Sequence, residues 1–189
     1  MIEVQFFNGQ ERQRFLGAEL AAFYRAGRQD DLDDDDMSPR RTNGDDDDID
    51  TRDTVTEALH SIFLDHKECK MKRATREFLK SAMSEDDKDI LKSLNKWADK
   101  LIHREAGDQD FVTLEASTAQ EMLREVEKYS TEMTDDENQR VFSLWPLVKL
   151  IKVHFDNPLS KMGVSILDAP GSSDNHIRRE IALALKRNC

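Results

Sequence analysis

The chain has 189 residues, enough for one domain or one domain with an appendage, and carries a formal charge of −11 with 38% apolar residues. Its two cysteines, Cys69 and Cys189, cannot build a disulfide framework, which points to a reducing compartment, cytosol or nucleus. The first residues lack the pattern of a secretory signal, no apolar run approaches a membrane span, and no basic surplus offers electrostatic nucleic-acid binding. A soluble intracellular chain, nuclear or cytoplasmic, is expected.

Ile2, Val4 and Phe6 alternate with Glu3 and Gln5, the period of a strand. Asn8 and Glu11 have the spacing of a capping box. Leu16, Leu20 and Phe23, with Phe15 beside them, continue as a helical stripe that Gly27 is expected to end. Residues 1–27 thus read as a strand followed directly by a helix. Residues 28–53 contain twelve Asp and four Arg, a net of −8 out of −11, which leaves only −3 for the other 163 residues. Such a segment buries too little apolar surface to offset its ordering entropy and reads as a disordered acidic loop. A calcium loop turning at Gly44 would need ligands from Pro39, Arg41 and Asn43, two of which cannot serve. Ser38-Pro39 matches a proline-directed phosphorylation pattern that is common by chance.

Residues 54–136 read as helical. Leu59, Ile62 and Phe63 begin one stripe, and Phe78 with Leu79 falls in another. Ser84 with Asp87 can cap a helix bearing Ile90, Leu91, Leu94, Trp97, Ala98, Leu101 and Ile102. Ser117 with Gln120 can cap one bearing Met122, Leu123, Val126 and Tyr129. These stripes are packing surfaces. His66 and Cys69 have metal-like spacing, but no second ligand pair accompanies them, and the five histidines are scattered.

The period then changes. Ile151, Val153 and Phe155 alternate with Lys152 and His154, as in a half-buried strand. A second short strand is expected at 164–168, ended by Ala169-Pro170-Gly171, and Asp174 can cap a last helix carrying Ile177, Ile181, Ala184 and Leu185. This places Asp168 at the carboxyl end of an apolar strand, where open α/β sheets bind ligands. Pro170 removes a donor and Gly171 permits close backbone approach, so the turn can bring an N–H against a phosphate. An Asp in that position is suited to hold Mg²⁺, usually through water. An ordinary strand–turn–helix junction would have the same residues.

The D-x-P-G motif of Asp168, Pro170 and Gly171 resembles switch II of dynamin-like large GTPases. The run from Trp145 to Cys189, and MIEVQFFNGQERQRFLGAEL at the start, resemble a divergent fungal branch similar to the nuclear GTPases of germinal-centre type. Ala169 stands where that family more usually has Leu. The resemblance implies an α/β fold: a partial P-loop NTPase core with a large α-helical insert and a disordered acidic loop. Residues 1–27 would be the core's strand and helix, 28–53 the acidic loop and 54–144 the helical insert. Residues 145–189 would be the strand pair, switch II motif and following helix. In the intact family it implies hydrolysis of GTP by water. Asp168 would support Mg²⁺, the Gly171 N–H would sense the γ-phosphate, and Asp168, Pro170 and Gly171 would line the nucleotide site.

Family order puts the P-loop and the switch I Thr before Met1. None of the seven glycines is followed by Lys, so G-x-x-x-x-G-K-[ST] does not occur. Asn95-Lys96-Trp97-Ala98-Asp99 is one residue too long for the guanine-specifying motif and reads as helix surface. The chain alone is therefore expected to bind neither GTP nor Mg²⁺. A non-catalytic interaction module, binding a protein partner through its helices, is the rival reading.

Overall fold

The alternation at the start of the chain becomes strand β1 (Ile2–Phe6), with Ile2, Val4 and Phe6 buried and Glu3 and Gln5 half-buried on the other face. The computed structural model describes residues 1–33, 46–130 and 142–154. After β1 come α1 (Gly9–Asp33), α2 (Asp46–Ile62), α3 (Lys72–Lys80), α4 (Lys88–Ala106), β2 (Phe111–Leu114) and α5 (Ala119–Ser130). A 3₁₀ turn at Trp145–Leu147 then leads directly into β3 (Val148–Val153). The fold is mixed α/β, with helices set against a three-stranded antiparallel sheet of order β2-β1-β3. Among the described residues it contains no parallel strand pair and hence no βαβ unit of a P-loop core.

The capping box expected at the start of α1 forms. Asn8 N–H donates to Glu11 Oε2 at 2.9 Å, and Glu11 N–H donates to Asn8 Oδ1 at 3.0 Å. The stripe behind it, Phe15, Leu16, Leu20 and Phe23, is buried. Gly27 does not end this helix, which runs on to Asp33. The guanidinium of Arg52 occupies the space a Cβ at Gly27 would need, and lies 5.0 Å from the centre of the Phe23 ring. Glycine here provides room for a close crossing from α2 rather than a helix stop. The segment 28–53, expected as a disordered loop, is helical at both ends. Its first residues continue α1, and α2 begins at Asp46 inside the second Asp tetrad, where acidic residues at a helix N-terminus are favoured by the macrodipole. The centre of that segment lies outside the described residues.

In α4, Ile90, Leu94, Ala98, Leu101 and Ile102 are buried, and Leu91 and Trp97 are half-buried against the same core. Asp87 caps it, its carboxylate accepting from the N–H groups of Asp89 at 3.0 Å and Ile90 at 3.1 Å. Ser84 takes no part in this and donates instead to Asp86. The backbone N–H of Met83, foremost, and those of Ile90 and Asp89 hold the Asp87 carboxyl below its usual range. A carboxyl depressed in the folded state contributes stability that is complete above the unfolded value, about pH 4, and is lost as pH falls through the folded value. Asp87→Ala is expected to lower the melting temperature at neutral pH and to flatten its fall below about pH 4. Parallel wild-type and variant pH profiles in thermal melts would refute this cap.

Gly107 closes α4 with φ of 66°, a region that disfavours side chains, and its N–H returns to His103 O at 2.9 Å. The chain then enters β2, which corrects the reading of 54–136 as helical throughout. Phe111–Leu114 is only four residues long, too short for a strand period to stand out, and is fixed by pairing Val112 with Val4. At α5 the cap lies one residue later than expected. Glu121 N–H donates to Thr118 Oγ1 at 3.1 Å, and Ser117 N–H donates to Glu121 Oε2 at 2.8 Å. Leu123, assigned to the apolar stripe, is 72% exposed, whereas Tyr129 is buried with its ring 5.9 Å from that of Phe6. One continuous core joins Ile2, Val4, Leu16 and Leu20 to Leu59, Leu79, Leu94 and Leu147, so the stretch 54–144 shares the core of 1–27. No helix among the described residues is long and apolar enough to cross a membrane.

Candidate functional site

Asp168, Pro170 and Gly171 lie outside the described residues, as does the strand expected at 164–168. The structure does fix the sheet end from which that segment departs. Because β3 runs antiparallel to β1, its carboxyl end lies against the first residue of the chain: Ile2 pairs with Val153, and His154 N–H donates to Met1 O at 2.9 Å. The Met1 ammonium in turn lies 3.4 Å from His154 O. On the outer face of the same pair, Lys152 Nζ donates to Glu3 Oε1 at 2.8 Å, and Gln5 Nε2 reaches the same oxygen at 2.5 Å. These two donors, Lys152 first, lower the Glu3 carboxyl from its ordinary value. The start of the chain and the end of β3 therefore lie side by side at one end of the sheet.

His66 and Cys69 do not converge. The Cys69 thiol is fully buried, and burial pushes it up to about 11, so it is a neutral, unreactive group at physiological pH. His66 stacks on Trp97 with ring centres 4.3 Å apart, beside Phe63, and its pKa is lowered by desolvation. A different histidine, the buried His60, places Nδ1 2.7 Å from Cys69 O, so that nitrogen carries the proton and donates. This bond pins the loop between α2 and α3. Among the described residues no three His, Cys, Asp or Glu side chains gather as a metal site.

The stretch Asn95–Asp99 lies within α4 as expected, but only Lys96 and Asp99 are exposed, while Asn95 and Trp97 are half-buried and Ala98 is buried. Asn95 Nδ2 donates to Leu91 O at 2.7 Å, Trp97 packs against Phe78 and Phe63, and Asp99 binds Arg12. That last contact aligns α1 and α4 as antiparallel neighbours, with Arg25 to Glu85 at the other end. Between them lies an open cleft of about 800 Å³. Its α4 wall presents Lys88, Lys92, Lys96 and Lys100, all exposed, and its α1 wall presents Gly9 and Gln13. None of the four ammoniums has a carboxylate partner among the described residues. The i, i+4 spacing of these lysines is visible in the sequence, but the opposing wall of α1 is not. No protein-family model, curated protein or solved structure matches this chain.

Proposed function

We propose that this chain is the switch-bearing part of a dynamin-like GTPase domain, nuclear or cytoplasmic, and that it does not hydrolyse GTP by itself. The observation that carries the reading is the sequence Asp168-Ala169-Pro170-Gly171 at the end of an apolar run. In this reading Asp168 holds Mg²⁺ through water, and the Gly171 N–H meets the γ-phosphate. The adjacency of Met1 and His154 is in keeping with it, because a P-loop segment joined at Met1 would start from the same sheet end at which β3 finishes. One carboxylate and one amide are too few to hold a reluctantly dehydrated Mg²⁺ and a triphosphate, so the remaining grip must come from a P-loop.

Calorimetry on residues 1–189 is expected to give no GTP binding tighter than about 1 mM, with or without Mg²⁺. Joined to an upstream segment carrying G-x-x-x-x-G-K-[ST], the chain should turn over GTP. Asp168→Ala should then cut the rate by about 100-fold while Asp174→Ala leaves it within about twofold. Micromolar binding by 1–189 alone, or equal losses in the two variants, would overturn the assignment. The second reading, a non-catalytic interaction module, is favoured by the exposed lysine wall of α4.

A further inference from the structure

We propose that the cleft between α4 and the start of α1 binds an extended acidic segment of a partner protein. Four like charges at i, i+4 repel one another along a helix, and here no carboxylate among the described residues forms an ion pair with any of them. Outside residues 28–53 the chain carries only −3, so this basic wall stands out against a nearly neutral background. A ligand carrying negative charge at the same interval would relieve the repulsion.

The spacing selects the form of that ligand. Successive lysines are about 6 Å apart along the axis of α4. Alternate side chains of an extended peptide recur about every 6.6 Å, so acids at every second position keep pace with the ammoniums along the helix axis, the long lysine stems taking up the drift of about 40° per step around it. The rest of the cleft suits a peptide backbone. Asn95 donates its own amide hydrogen to Leu91 O, which leaves Oδ1 to accept a peptide N–H, and the exposed Gln13 amide can donate to a peptide carbonyl. A phosphodiester chain has no N–H for Asn95 to accept. No aromatic side chain lines the cleft to stack a base, as single-stranded nucleic-acid sites require. Asp99, the one carboxylate in the lining, is held by Arg12 at 3.0 Å. The proposal is independent of whether Asp168 serves a nucleotide.

The test is fluorescence anisotropy with the full chain and a labelled peptide of four Glu-Ser repeats at low salt. Saturable binding is expected, with Lys92→Glu/Lys96→Glu weakening it by about tenfold or more. Lys67→Glu/Lys70→Glu, an equal charge change on exposed residues away from the cleft, should leave it within about twofold. A peptide with the same four Glu in one block should bind more weakly than the alternating one. The proposal fails if the peptide does not saturate, if both double variants lose affinity equally, or if a single-stranded oligonucleotide of equal charge competes as well as the peptide. It also fails if binding emerges only after Asp34–Asp36 and Asp45–Asp48 are changed to Asn, because the occupant is then the chain's own acidic stretch.

Discussion

Val4→Lys is expected to abolish cooperative folding, while Gln5→Lys, one residue along the same strand, changes stability by less than about 1 kcal/mol. Val4 is fully buried in the central strand, flanked by Val112 on one side and Ile151 on the other. A lysine there loses about 1.5–3 kcal/mol of apolar burial and must also desolvate or neutralise its ammonium. The sum, about 5 kcal/mol or more, equals or exceeds the whole stability of a weakly stable domain. Gln5 faces the other way, beside the Glu3 carboxylate, where an ammonium has a ready partner. Urea denaturation followed by circular dichroism reads both variants. Comparable losses would mean that β1 is paired one residue out of register, which would exchange its two faces.

The parts of this fold legible in the sequence are those whose period repeats often enough to be counted. Three alternations sufficed for β1, and the seven apolar positions of α4 identified its buried face. The Asn8–Glu11 box was readable because both partners lie within four residues. Features set by distant residues were not. Gly27 looks like a helix stop until Arg52 is brought against it, and β2 acquires its identity from β1, more than a hundred residues earlier. The Gly107 turn directly after α4, followed by Phe111-Val-Thr-Leu114, was the available signal for that strand. The same division holds for sites. A local motif such as Asp168-x-Pro-Gly can be found by reading along the chain. The lysine cleft needs α1 laid against α4, an arrangement no spacing within either helix contains.

Arg12 is the side chain that fixes that arrangement, and Arg12→Met is expected to cost about 2–4 kcal/mol. The Arg12 side chain is 10% exposed. Its Nη1 donates to Phe7 O at 2.5 Å and to Asp110 Oδ1 at 3.1 Å, while Nη2 and Nε reach Asp99 Oδ1 at 3.0 and 3.3 Å. Three segments therefore meet on one planar group: the end of β1, the middle of α4 and the turn before β2. Methionine keeps most of the apolar stem but leaves the Phe7 carbonyl without this donor, a loss of about 1–3 kcal/mol. The two ion pairs add less. Asp99 and Asp110 are 61% and 53% exposed, so water solvates them once released, and each is worth at most about 1 kcal/mol. Asp99→Asn and Asp110→Asn should accordingly be mild, and milder still in 1 M salt, while the Arg12→Met loss should persist there because its larger part is a buried hydrogen bond. Arg12→Lys should fall between, since one ammonium cannot span three acceptors that a guanidinium fork reaches together. Urea melts of the four variants at low and high salt separate these contributions. If Arg12→Met lost most of its effect in high salt, the Phe7 carbonyl bond would not be what holds α1 at the end of β1.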